Sequence, residues 1–161
     1  MKLKIYEVEN ENDKNYLALE NETEVDFDDT HMATPECVIN LMKSVFKADK
    51  KSDENVWLLA LDAKMKIIGA FHIAKGSVSD AYFSTRSIFC PLLLCNATGF
   101  IIVHNHLSDD ATPSADDCQI TNKLMDASVM MGFKMYEHII ISKTGYYSFA
   151  ESMSNDKIKV V

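Results

Sequence analysis

A β-branched apolar run, Phe100-Ile101-Ile102-Val103, leads straight into His104-Asn105-His106, with Ser114 and Asp117 a fixed distance beyond. A run of this kind reads as a buried strand. Side chains alternate faces along a strand, so His104 and His106 point the same way, one pleat apart. Two imidazoles at one strand end form a ready pair of metal ligands. Thr112-Pro113 reads as an N-cap followed by proline at the first helical position. Ile120, Leu124, Ala127 and Met131 then recur at helical spacing as a core-facing stripe, and Asp117 falls on it. A carboxylate turned inward needs a cation beside it, or desolvation raises its pKa.

His, His and Asp leave one position of a tetrahedral ion open, the mark of a catalytic rather than a structural zinc. Such an ion lowers the pKa of a bound water to about 7. Ser114, one turn before Asp117, could donate to that water or to a developing oxyanion. Plainer readings exist for each part. Ser-x-x-Asp is the spacing of an ordinary capping box, and a single buried histidine is usually a hydrogen-bonded core residue. The conjunction of H-x-H, the spacing and the strand–loop–helix context favours the metal. Two look-alike motifs fail. A metallo-β-lactamase pattern needs Asp and His directly after Leu107, where Ser108 and Asp109 stand, and an HNH nuclease spreads its letters over a ββα unit. Zinc deaminases need a later C-x-x-C, which does not occur.

The fuller stretch HNHLSDDATPSADD, with the later segments EHIII and GYYSF, resembles the JAMM (MPN-plus, or JAB) metalloprotease motif in its RadC-like branch. The similarity runs roughly from Glu54 to Phe149. It implies an α/β fold, a mixed central β-sheet flanked by helices in the MPN/JAB, cytidine-deaminase-like architecture. It implies Zn2+ held by His104, His106 and Asp117, with Ser114 assisting. It also implies Glu54 as general base, just ahead of the strand Val56 to Asp62, with Glu137 in reserve. His138 reads as a residue behind the ligands or in the core. His31 and His72 look incidental, and Arg86 reads as a surface residue in a helix's first turn. The chain departs from the branch pattern at Leu107 (usually Pro), Asp109 (usually Gly), Ser87 (usually Glu) and Glu137 (usually Asp). None of these removes a metal ligand, while Leu107 and Asp109 alter the rim of the site.

The chain has 161 residues and a formal net charge of −8. An acidic balance opposes nucleic acid, which calls for a basic patch. Lys47, Lys50 and Lys51 cluster, but Asp49, Asp53 and Glu54 largely cancel them. Cys37, Cys90, Cys95 and Cys118 have no framework spacing and read as buried free thiols in a reducing compartment. No secretory signal or bilayer-length apolar run is visible, so a cytoplasmic location with no membrane partner is expected. A peptide or protein substrate is the expected partner, and a free strand edge would also allow a homodimer.

Three segments are expected. Residues 1–33 should form a strand hairpin, from runs at Leu3 to Val8 and Tyr16 to Leu19, followed by an acidic surface linker over Asn21 to His31. Residues 34–150 should form the RadC-like metal-binding domain, and 151–161 a loosely held tail. In the middle segment Thr34-Pro35 should start a helix with Val38, Leu41, Met42, Val45 and Phe46 inward. Strands are expected over Asn55 to Leu61 and Ile67 to Ala74, and a loop over 76–84. A helix should span Ser84 to Asn96, kinked or properly begun at Pro91. Gly132 should close the metal helix, and strands should follow at Tyr136 to Ile141 and Tyr146 to Phe149. RadC-like proteins commonly carry a helix-hairpin-helix region ahead of the metal domain, and no such glycine-paired hairpin precedes Glu54.

The leading expectation is a zinc metallopeptidase or isopeptidase. One rival is a repair-associated protein acting with DNA. The other is a non-catalytic interaction module of the MPN type.

Overall fold

The computed structural model describes residues 2–25, 32, 34–76 and 84–156, the last three by backbone alone. A seven-stranded mixed sheet runs through it in the order β2-β1-β4-β3-β5-β6-β7. The strands are β1 (Lys2–Glu11), β2 (Lys14–Glu24), β3 (Asn55–Leu61), β4 (Ile67–Lys75), β5 (Gly99–Asn105), β6 (Lys134–Ile141) and β7 (Tyr146–Ser148). The helices are α1 (Pro35–Leu41), α2 (Thr85–Leu94), α3 (Ala115–Met131) and α4 (Phe149–Asp156). This is the mixed α/β sheet flanked by helices that the sequence predicts.

Alternation along the central strands builds two cores. Trp57, Leu59, Ile101, Val103, Ile139 and Ile141 face α1. Val56, Leu58, Phe100 and Ile102 face α2 and α3, meeting Ile88, Leu92 and Leu124. Every residue of β3 and β5 is buried, as expected for strands covered on both sides. Parallel neighbours need a crossover, and α3 supplies it between β5 and β6. The C-terminal end of β5, the first turn of α3 and the middle of β6 therefore meet above the sheet.

The chain departs from expectation at particular places. The predicted linker is strand as far as Glu24, because Lys2 to Glu11 offers a full-length antiparallel partner. His31 and most of the loop at 76–84 lie outside the described residues. Thr34 caps α1 as expected, and the inward stripe continues through a π-helical turn over Met42–Phe46. Helix α2 starts at Thr85 with Ser84 as cap and passes through Pro91. Thr112 does not cap α3: its hydroxyl and N–H both bond Asp110 Oδ1, at 2.7 and 2.8 Å, and Ser114 is the cap. Gly132 closes α3 at φ 75 as expected. Met131, assigned to the inward stripe, is exposed, because the turns that face the sheet carry Thr121, Leu124 and Ser128. Of the expected tail, residues Glu151 to Asp156 are helical, with the side chains of Glu137 and Ser148 holding the start of α4, and 157–161 lie outside the described residues. Cys118 is exposed and the other three thiols are half-buried. Among the described residues no helix is long and apolar enough to cross a membrane.

Candidate metal centre

His104 and His106 leave the end of β5 on the α3 side of the sheet. Helix α3 begins at its cap Ser114 and sets Asp117, in the first turn, over them. His104 Nε2 lies 3.2 Å from His106 Nε2 and 3.2 Å from Asp117 Oδ1; His106 Nε2 lies 3.4 Å from Asp117 Oδ2. Tetrahedral zinc with bonds near 2.0–2.1 Å spaces its ligands by about 3.3 Å. The three side chains form the one cluster of ligating groups among the described residues that could hold a metal ion.

Asp117 decides between a cap and a metal site. The capping box is present: Ser114 Oγ accepts from the Asp117 N–H at 3.1 Å, and Asp117 Oδ2 accepts from the Ser114 N–H at 2.7 Å. Ser114 Oγ also approaches Oδ2 at 2.6 Å. Both contacts to the carboxylate use Oδ2. Oδ1 is buried with no assigned hydrogen bond among the described residues and meets His104 Nε2 at 3.2 Å. A cap contributes about 1 kcal/mol, whereas burying an ionised carboxylate costs several. Capping alone does not account for Asp117, and a cation between Oδ1 and the imidazoles does. Burial by itself would raise this carboxyl; contacts with His104, His106 and Ser114 overcome that and hold it well below the usual carboxylate range. Asp117 therefore stays ionised. The proton affinity of His106 is raised, first by Asp117 and further by the Asp110 carbonyl and Glu54, against the opposing effect of burial.

Both histidines are held from behind. His106 Nδ1 lies 3.1 Å from the Asp110 carbonyl, which can only accept, so its Nε2 faces the site. His104 Nδ1 lies 2.8 Å from His138 Nε2, and His138 Nδ1 lies 2.6 Å from Thr121 Oγ1. His138 is buried, and burial, assisted by His104, keeps its pKa far below that of an ordinary histidine. It sits behind the ligands, as the sequence reading has it.

Glu54 stands immediately before β3. Val56 pairs with His104, and the Glu54 carboxylate lies close enough to His106 to add to the rise in that ring's proton affinity. Sequence reasoning missed what holds this segment. Asn105, between the two histidines, points to the opposite face. Its Oδ1 accepts from the Asn55 N–H at 2.8 Å, and its Nδ2 donates to the Asp53 carbonyl at 3.1 Å. Asn55 Nδ2 donates to the same carbonyl at 2.6 Å, and His72 Nε2 lies 2.8 Å from Asn55 Oδ1. His72 is thus part of a scaffold, not incidental. Glu137, the reserve base, faces away from His138 by strand alternation. Its carboxylate accepts from Ser148 Oγ and from the N–H groups of His138 and Ala150. Burial raises its pKa, but it does not reach the three ligating groups. Arg86 lines a separate cavity of about 540 Å³ with Tyr6, His72 and Cys90.

The family model described as the RadC-like JAB domain matches residues 32–154, well over half of the chain. The chain belongs to the RadC-like JAB domain family. Among curated relatives, a UPF0758 protein of Thermotoga maritima is 38% identical over 98 residues, covering 61% of this chain and 44% of its own. One from Chlorobium chlorochromatii is 39% identical over 101 residues, covering 63% and 46%. One from Caldanaerobacter subterraneus is 33% identical over 126 residues, covering 73% and 53%. The chain spans about half the length of these relatives. Membership of the JAB family together with the His-His-Asp cluster fits a metallohydrolase of the JAMM type.

Proposed function

We propose that this RadC-like JAB domain is a zinc-dependent hydrolase of peptide or isopeptide bonds. The observation that carries the reading is the buried Oδ1 of Asp117, without an assigned hydrogen bond, facing two imidazoles whose other nitrogens are already engaged. His104, His106 and Asp117 would hold the ion, which would supply Lewis acidity and lower the pKa of a water to about 7. Glu54, whose charge acts on His106, accepts the proton of the attacking water and returns it to the leaving amine. Ser114, whose hydroxyl donates to Asp117 Oδ2 at 2.6 Å, turns that proton to the oxyanion as it develops. The tie from Asn105 to both peptide neighbours of Glu54 connects the base to the ligand strand.

Replacing Glu54 with Gln tests the assignment. General acid–base catalysis typically contributes ~10²–10⁴-fold, so E54Q should lose turnover on that scale against a peptide library while binding zinc like the parent. Parental turnover by E54Q would remove Glu54 from the mechanism, and hydrolysis surviving in H106A would remove the metal.

A further inference from the structure

We propose that Thr121 and His138 form a one-way hydrogen-bond relay that fixes the tautomer of His104, leaving its Nε2 as an electron pair aimed at the metal position. This rests on the reading of His104 as a ligand.

The direction follows from counting protons. Thr121 Oγ1 lies 2.6 Å from the Asp117 carbonyl oxygen and 2.6 Å from His138 Nδ1. A hydroxyl has one proton and a carbonyl can only accept, so the Thr121 proton goes to Asp117. His138 Nδ1 must then carry a hydrogen and donate it to the hydroxyl oxygen. A neutral imidazole has one N–H, which makes His138 Nε2 an acceptor. His104 Nδ1, 2.8 Å away, donates to it, which in the neutral ring leaves His104 Nε2 as the bare nitrogen. Full burial of His138 and Thr121 keeps water from supplying an alternative partner.

The relay begins and ends on one residue. Its first acceptor is the main-chain carbonyl of Asp117, and its last atom faces the Asp117 carboxylate oxygen at 3.2 Å. The relay itself places no proton between these two atoms, so a cation, whether a proton or a metal ion, has to stand there. The helix that delivers one ligand thereby sets the protonation of another. A histidine that accepts, where a ligand histidine more often donates to a carboxylate or carbonyl, keeps the support neutral and adds no second charge behind the ion.

Two measurements on the full chain test this. Long-range ¹H–¹⁵N NMR of the imidazoles in metal-free protein should show both His104 and His138 as Nδ1–H tautomers. Either residue as the Nε2–H form would overturn the relay. Zinc affinity by chelator competition should stay within about twofold of the parent in Thr121→Ser, which keeps the hydroxyl. In the near-isosteric Thr121→Val it should fall roughly tenfold, the lower end of what a lost outer partner costs. Equal zinc affinity in the two variants, with Thr121→Val merely less stable, would reduce Thr121 to a packing role and sink the proposal. Failure of the parent to bind zinc would instead defeat the ligand assignment, with the NMR result still deciding the relay.

Discussion

The last residues of β5 present two faces that could hardly be more different. Towards α3, His104 and His106 meet Asp117 in a cluster that keeps a carboxylate oxygen buried with no assigned hydrogen bond. Towards α1, Asn105 joins Asn55, Asp53 and His72 through neutral groups whose donors and acceptors meet each other. The first face is incomplete as protein and becomes complete with a cation. The second is complete already, and its product is position: it fixes the segment that carries Glu54. A buried polar group is tolerated when satisfied and costly when not, so the unsatisfied face is where chemistry is expected.

The contrast can be broken most forcefully at Asp117. Asp117→Asn keeps the shape and a capping acceptor but removes the charge. Breaking a buried ion pair costs about 3–5 kcal/mol, so zinc affinity should fall on the order of 10²–10³-fold in a chelator competition. A loss no larger than that of Asn105→Ala would erase the distinction between the faces.

Asn105→Ala sharpens it from the other side. It strands the buried Asn55 N–H and weakens the hold on Asp53, at about 1–3 kcal/mol. Urea denaturation should register that loss while zinc affinity stays within about twofold. Unchanged stability would mean the neutral face holds nothing.

Ser114 belongs to both stories and should give the smallest effect. Ser114→Ala removes the helix cap, worth about 1 kcal/mol, and in the proposed mechanism also slows turnover. Ser114→Thr should restore stability, and an alanine variant as stable as the parent would exclude the cap from the accounting.

The metal face was legible in the sequence because its signals are local. Period-two alternation placed both histidines on one side of β5, and helical spacing turned Asp117 inward. The supporting residues were not legible for the opposite reason. His138 reaches His104 only through the parallel register of β5 and β6, set by a crossover helix. Asn105 acts on a segment 50 residues earlier in the chain. The misplaced start of α3 has a chemical cause: Thr112 and Ser114 both offer capping hydroxyls, and Asp110 takes the first. The strands β3 and β5 were plain because they are apolar throughout. Helix α4 is short, and its start depends on Glu137 and Ser148, which no short window displays together.

Anomalous diffraction at the zinc edge, from crystals of the protein grown with zinc, tests the central claim most directly. The account predicts a single strong peak about 2.0–2.2 Å from His104 Nε2, His106 Nε2 and Asp117 Oδ1. No peak there, or one on other side chains with these three left as they stand, would contradict it.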